Sequence, residues 1–194
     1  RDVNPAAAFA LLVVNGQSCI DTAKLTPPRL YAVLPRERLF HRIAEQCRRH
    51  SMLWVAGPPG AGKTSLIASY LQKRKPRTLW YHLDPGDADL ATFFHYVAKA
   101  AENAAGRTRL KLPALTPEFM ADVPGFTRRF FRELWSKVPS PGVLVLDNYQ
   151  EVPANALLHQ ILPVALSEFP AATSLIAISR EQPPQQFARE VTQT

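Results

Sequence analysis

The chain carries only two cysteines, Cys19 and Cys47, among 194 residues. They lie far apart and show no metal-ligand spacing, which excludes a disulfide framework and a thiolate metal site. Sparse, unpaired thiols suit a reducing compartment, so a cytoplasmic location is expected. Long hydrophobic runs are also missing. The apolar stretch from Pro5 to Val14 is about ten residues, too short to span a bilayer. No basic segment beyond Arg1 precedes it and no small-residue cleavage site follows, so no leader and no membrane contact are expected. There is no internal repeat and no low-complexity tract. His41, His50, His95 and His159 show no ligand spacing on a shared face. Acidic residues are in the minority, with 16 Asp and Glu against 23 Lys and Arg, a net charge of +7. That balance favours phosphorylated ligands and nucleic acid in general. The basic clusters, within residues 36–49, 73–77, 107–111 and 128–132, are short and read as solvated helix faces or loops. No nucleic-acid motif accompanies them, so direct DNA binding is not expected.

What is present is enough for one α/β domain with a sizeable core: 46% of the residues are hydrophobic, which excludes a disordered chain. The chain does not begin with Met. Arg1 therefore reads as an internal position of a longer protein, residues 1–25 as the tail of an upstream module or a linker, and residues 26–194 as the domain proper.

The most informative stretch is Gly57-Pro58-Pro59-Gly60-Ala61-Gly62-Lys63-Thr64, which fits the phosphate-binding pattern G-x-x-x-x-G-K-[ST] at every fixed position. Its flanks fit as well. Met52-Leu53-Trp54-Val55-Ala56 reads as a buried strand, and Leu66, Ile67, Tyr70 and Leu71 have helical spacing. Glycines let backbone N–H groups turn towards phosphate oxygens, and the new helix presents its positive end to the same anion. The phosphates would be held by the loop Pro59, Gly60, Ala61 and Gly62 with Lys63, Thr64 and Ser65. Lys63 would reach the β- and γ-phosphates and the Thr64 hydroxyl would bind Mg²⁺. Downstream, Gly142-Val143-Leu144-Val145-Leu146-Asp147 reads as a parallel strand covered on both faces, with its acid at the carboxyl end where ligands bind. Asp147 is thus the second candidate for the metal.

Elsewhere the spacing predicts a helix over 36–50 with Leu39, Ile43 and Cys47 inward, and a strand over 78–83. A helix follows, capped by Asp87 or Asp89, with an apolar face of Leu90, Phe93, Phe94, Val97 and Ala101. Residues 107–123 read as a mobile connection. A helix is expected over 127–138, another over 154–168 with Leu157, Leu158, Ile161, Leu162 and Leu166 inward and a kink or early stop at Pro163, and a last strand over 173–179. Strand and helix alternate four times, which implies a parallel sheet with helices on both faces.

With these residues placed, the chain resembles the nucleotide-binding domain of the STAND class of P-loop ATPases, and within it the MalT-like, large ATP-binding regulators of the LuxR type. The resemblance covers about residues 24–190. It rests on Lys24-Leu25-Thr26-Pro27-Pro28-Arg29-Leu30 with Leu34-Pro35-Arg36-Glu37-Arg38-Leu39, on the P-loop, and on Tyr81-His82-Leu83-Asp84. Leu144-Val145-Leu146-Asp147-Asn148-Tyr149 and Ile178-Ser179-Arg180 with Pro183-Pro184 complete it. It implies a three-layer P-loop sandwich whose sensor strand, ending at Ser179, lies between the P-loop strand and the Asp147 strand. It also implies an ATP/ADP switch governing self-association, with further domains of the same protein downstream. Pro35 and Arg36, with Leu34, would contact the adenine, and Arg180 would sense the γ-phosphate.

One position departs from that pattern. The family usually has a second acid after the first, to activate water, and here stands Asn148. An amide can hydrogen-bond a water but cannot take its proton. Glu151 is a nearby substitute. Lys63, Asp147, Asn148 and Arg180 are therefore the candidate catalytic residues of a slow ATPase. The alternatives are a non-hydrolysing nucleotide-binding scaffold and, further off, a small-molecule kinase with a lid from Arg128, Arg129 and Arg132. A ring-forming motor would need an arginine finger in trans that the sequence does not reveal. His82 ends a strand at the same sheet edge, but a lone histidine is more often a satisfied core residue.

Overall fold

The computed structural model describes residues 23–30, 36–106, 109–187 and the backbone of 191–193. The expectations for residues 1–22 and for Leu34 and Pro35 lie outside the described residues. The elements in chain order are α1 (Glu37–Arg49), β1 (Met52–Ala56), α2 (Lys63–Arg74), β2 (Arg77–His82), α3 (Leu90–Ala105), α4 (Val123–Lys137), β3 (Gly142–Asp147), α5 (Leu158–Leu166), β4 (Ser174–Ser179) and β5 (Val191–Gln193). The five strands form one sheet in the order β2-β3-β4-β1-β5, with every pairing parallel. The strand ending at Ser179 lies between the P-loop strand and the Asp147 strand, as the resemblance implied.

Alternation along each strand builds the three layers. Leu53, Val55, Trp80, Val143, Val145, Ile176 and Ile178 point to one face, where Phe40 and Ile43 of α1 and Ile67, Ala68 and Leu71 of α2 cover them. Met52, Trp54, Leu79, Tyr81, Leu144, Leu146, Leu175 and Ala177 point to the other, under α3, α4 and α5. There the rings of Phe94, Phe126 and Phe130 pack edge to face at 4.8 and 4.9 Å. Because all strands run one way, the ends of β1, β2, β3 and β4 open on a single edge of the sheet.

Several local expectations change. Helix α1 buries Phe40 and Ile43, while Leu39 and Cys47 are half-buried. Asp89, not Asp87, caps α3, its carboxylate taking the Thr92 N–H at 2.8 Å. The connection before α4 is not featureless: Leu110 is buried, Pro117–Asp122 form a 3-10 turn, and the helix begins at Val123 because Asp122 caps it through the Gly125 N–H. Helix α5 starts only at Leu158 and runs through Pro163, since one missing N–H is outweighed by the buried face of Leu158, Ile161, Leu162 and Ala165. Leu157 is exposed, one residue before that face. The short strand β5 on the far side of β1 has no counterpart in the sequence reading.

Gly142 opens β3 directly under an indole. A Cβ built there would sit 2.6 Å from Trp135 Cζ3, and that ring is held edge-on by Phe169 at 5.0 Å. Gly142→Ala is expected to destabilise the fold by about 1–3 kcal/mol, readable as a lower urea midpoint at unchanged slope.

Candidate nucleotide-binding site

The loop after β1 turns sharply because Gly60 and Gly62 adopt φ of +77° and +76°, a region that side chains other than glycine rarely enter. Gly62 is also the N-cap of α2. The first bond of that helix runs from the Leu66 N–H to the Gly62 carbonyl at 2.8 Å, so the amides of Lys63, Thr64 and Ser65 precede the hydrogen-bond ladder. Together with the positive helix end they form an anion-facing rim. Lys63 curls back beneath it, donating to the carbonyls of Gly57 at 2.6 Å and Pro58 at 2.9 Å.

Opposite the loop stands Asp147 at the end of β3, buried by the sheet. The Thr64 hydroxyl donates to its Oδ1 at 3.0 Å, across 83 residues of sequence. The backbone N–H of Asn148 donates to the same oxygen at 3.0 Å. These two residues are hard oxygen donors. Among the described residues no group of three or more His, Cys, Asp or Glu could hold a metal alone. Such a pair fits Mg²⁺, which takes one or two protein oxygens and completes its shell with phosphate and water. The cleft between loop and strand ends measures about 350 Å³. Its walls include Pro59, Gly60 and Gly62 with Lys63, Thr64 and Ser65, and across from them Asp147, Asn148 and Arg180. Ala61 is exposed on the loop next to these walls. Arg36 is exposed at the start of α1, and its guanidinium approaches Gly62 to within 4.0 Å of where a Cβ would lie.

Two residues of the site escaped the sequence reading. His82 is not a core residue: its side chain is 47% exposed and Nδ1 lies 3.3 Å from Asp147 Oδ2. The two residues are register partners on adjacent strands, which explains the contact. Asn148, in the left-handed region at φ 65°, places Nδ2 3.1 Å from His82 Nε2. Gln150 is the second, donating to Asn148 Oδ1 at 2.9 Å. Glu151, the substitute acid, accepts from Gln150 Nε2 at 3.3 Å. Two of the three lid residues of the kinase reading are engaged elsewhere. Arg132 makes a two-pronged pair with Glu168 at 3.0 and 3.1 Å, and Arg129 stacks over Phe119.

The hydrogen bond that His82 donates to Asp147 holds the imidazole above its usual 6.5, against the opposing effect of partial burial. A raised folded value means that the pair's contribution to stability is full below 6.5 and is lost as pH rises through that raised value. The urea midpoint is therefore expected to fall as pH rises from 6.5 through the raised value, and His82→Ala is expected to flatten that fall.

Comparison with known proteins agrees with this geometry. The sequence pattern of the AAA domain family matches residues 36–180. The HTH-type transcriptional regulator MalT of Cronobacter sakazakii is 28% identical over 158 residues, covering 81% of this chain and 17% of the regulator. The regulator of the same name from Klebsiella pneumoniae strain 342 is 27% identical over 160 residues with the same coverages. The chain thus spans 17% of the length of the curated relatives it matches. Among solved structures, a chain of Drosophila ORC bound to AT-rich DNA and Cdc6 superposes with a TM-score of 0.52 at 10% identity, covering 100% of this chain and 61% of that one. A chain of Drosophila ORC bound to DNA gives 0.51 at 11% identity, covering 81% and 87%. At such identities the likeness is one of fold. A P-loop, an acid-tipped strand beside it and a family pattern running from α1 to the end of β4 agree: the chain belongs to the AAA domain family of P-loop proteins.

Proposed function

We propose that the chain is an ATP/ADP-binding module of a signal-transduction or transcriptional regulator, binding Mg·ATP in the P-loop cleft and hydrolysing it slowly. The observation that carries this reading is the Thr64–Asp147 contact at 3.0 Å, which joins the loop to the acid as a shared metal position requires. In this reading the amides from Gly60 to Ser65 receive the phosphates, and Lys63 exchanges its two carbonyl partners for β- and γ-phosphate oxygens. Thr64 and Asp147 hold Mg²⁺, which when bound offsets the phosphate charge. Arg180 faces the γ-phosphate. Arg36, beside Gly62, and Pro35 meet the adenine. Residues 26–194 make up the nucleotide domain and residues 1–25 the tail of an upstream module or a linker. The output lies in further domains of the same protein, working in the cytoplasm, and nucleotide state governs self-association. The relatives' name as HTH-type regulators supports an output on transcription exerted outside this domain.

A second reading is favoured by Asn148. Both ends of its carboxamide are engaged, by His82 and Gln150, and neither end can take a proton from water. A scaffold that binds nucleotide without turnover would use the same cleft.

The test is thermal unfolding in Mg·ATP, Mg·ADP, Mg·GTP and buffer. Adenine nucleotides are expected to stabilise the chain by about 2.7 kcal/mol at a hundredfold excess over their Kd, and Lys63→Ala is expected to lose that shift. No shift in the unaltered chain, or an equal shift in Lys63→Ala, overturns the reading.

A further inference from the structure

Two loops meet at the open edge of the sheet, one after β3 and one after β4, and a single side chain joins them. Gln150 belongs to the short turn Tyr149–Glu151 and is half-buried. Its Oε1 accepts the backbone N–H of Arg180 at 3.1 Å, 30 residues away. Its Nε2 donates to Asn148 Oδ1 at 2.9 Å. The orientation of the amide is not free, because a backbone N–H can only donate and must therefore face the oxygen. Asn148 in turn gives its own backbone N–H to Asp147 Oδ1 at 3.0 Å. The start of the segment carrying Arg180 is thus tied through Gln150 and Asn148 to the carboxylate beside Thr64.

Arg180 and Asp147 both wall the P-loop cleft. Gln150 walls it too, and it also walls the adjoining cleft of about 550 Å³ lined by Trp54, Tyr149 and Glu181. The Trp54 indole, which lines that second cleft, donates to the Glu181 carbonyl at 3.0 Å, one residue past Arg180. The backbone around Arg180 is therefore held from two sides, and Gln150 is the side-chain link that reaches from it to the acid-bearing loop.

We propose that Gln150 is a positioning residue for γ-phosphate discrimination: it fixes the Arg180 backbone relative to Asp147, so that the arginine and the acid meet the terminal phosphate as one body. This rests on the nucleotide reading above. Without the link the phosphate-loop contacts, which ADP and ATP share, remain. What is lost is the alignment of Arg180, which only a third phosphate can use.

The experiment is calorimetric titration of Mg·ATP and Mg·ADP into the chain, Gln150→Met, Arg180→Met and the double variant. Methionine keeps the length of the side chain and removes its hydrogen bonds to Arg180, Asn148 and Glu151. The ratio of ATP to ADP affinity is expected to fall about tenfold in each single variant and no further in the double, since two residues acting through one contact are not additive. Should Gln150→Met fail to fold, Gln150→Asn serves: its carboxamide is one carbon too short to span both partners, and the same fall in the ratio is expected. An unchanged ratio, an equal loss for both nucleotides, or losses that multiply in the double variant would overturn the coupling while leaving the site reading intact. Failure of the unaltered chain to bind either nucleotide would overturn the site reading and the coupling with it.

Discussion

Asp87→Ala is expected to cost about 3–5 kcal/mol of unfolding free energy, a loss that truncating one partner of a buried ion pair typically causes. Asp87 is fully buried in the turn between β2 and α3. Its Oδ1 accepts from Lys24 Nζ at 2.9 Å and from the Tyr81 hydroxyl at 2.5 Å, and its Oδ2 accepts the Asp84 N–H at 2.7 Å. Lys24 bridges onward to Asp84 at 2.7 Å and lies over the Tyr96 ring at 4.5 Å. Burial alone would lower the Lys24 pKa, but the hydrogen bonds and charges of Asp84 and Asp87 outweigh it and hold the ammonium above its usual value. Burial first, then Asp87, pushes the Tyr81 hydroxyl far upward, so it stays a donor. Removing the Asp87 carboxylate leaves a buried hydroxyl without its acceptor and a Lys24 side chain only 10% exposed with half of its counter-charge. Asp87→Asn keeps acceptor oxygen and shape, so its loss is expected to be smaller. Urea unfolding measures both. A loss below about 1 kcal/mol for Asp87→Ala would mean that the cluster is as solvated as a surface pair.

This cluster also shows which parts of the molecule could be read from the sequence. The P-loop and its strand and helix form a local unit, and the spacing of Gly60, Gly62, Lys63 and Thr64 is itself the geometry. Asp147 followed from the continuous apolar run before it, because a strand buried on both faces has no other way to look. Its contact with Thr64 needed only the rule that parallel strands end on one edge. What remained hidden depends on pairings between distant segments. His82 enters the site because β2 lies beside β3 in a register that puts it opposite Asp147, and no local pattern reports that register. Asp87 looked like a cap because it precedes a helix, whereas its partner Lys24 lies 63 residues away. Strand β5 has three residues and a polar sequence, and its pairing with β1 alone defines it. The early start of α4 and the delayed start of α5 differ from the spacing-based expectation for a related reason. Capping by Asp122 and burial of Leu158 rather than Leu157 set those boundaries, and apolar periodicity does not resolve a single turn.

Asn148→Asp is expected to raise phosphate release by about a hundredfold, the lower end of what a positioned general base contributes, and to do so most strongly at higher pH. The backbone should accept the change: position 148 sits at φ 65°, a conformation that aspartate tolerates as asparagine does, and the side chains are near in shape. Gln150 Nε2 can still donate to the new carboxylate as it does to Asn148 Oδ1 at 2.9 Å. The other oxygen would face His82 Nε2, where Asn148 Nδ2 now lies at 3.1 Å. His82 is already held above its usual pKa by Asp147, and a second carboxylate raises it further. While the imidazolium persists it ties up the new base by a charge-assisted bond and lowers its basicity. Once pH rises past that raised value the ring becomes neutral and the carboxylate is free to accept a proton from water. The activity of Asn148→Asp should therefore climb with pH through the range where His82 titrates, and adding His82→Gln should remove the climb while keeping the gain. Steady-state phosphate release across that range checks both. No gain at any pH would mean that the missing acid does not limit turnover, and Asn148 would then no longer account for slow or absent hydrolysis.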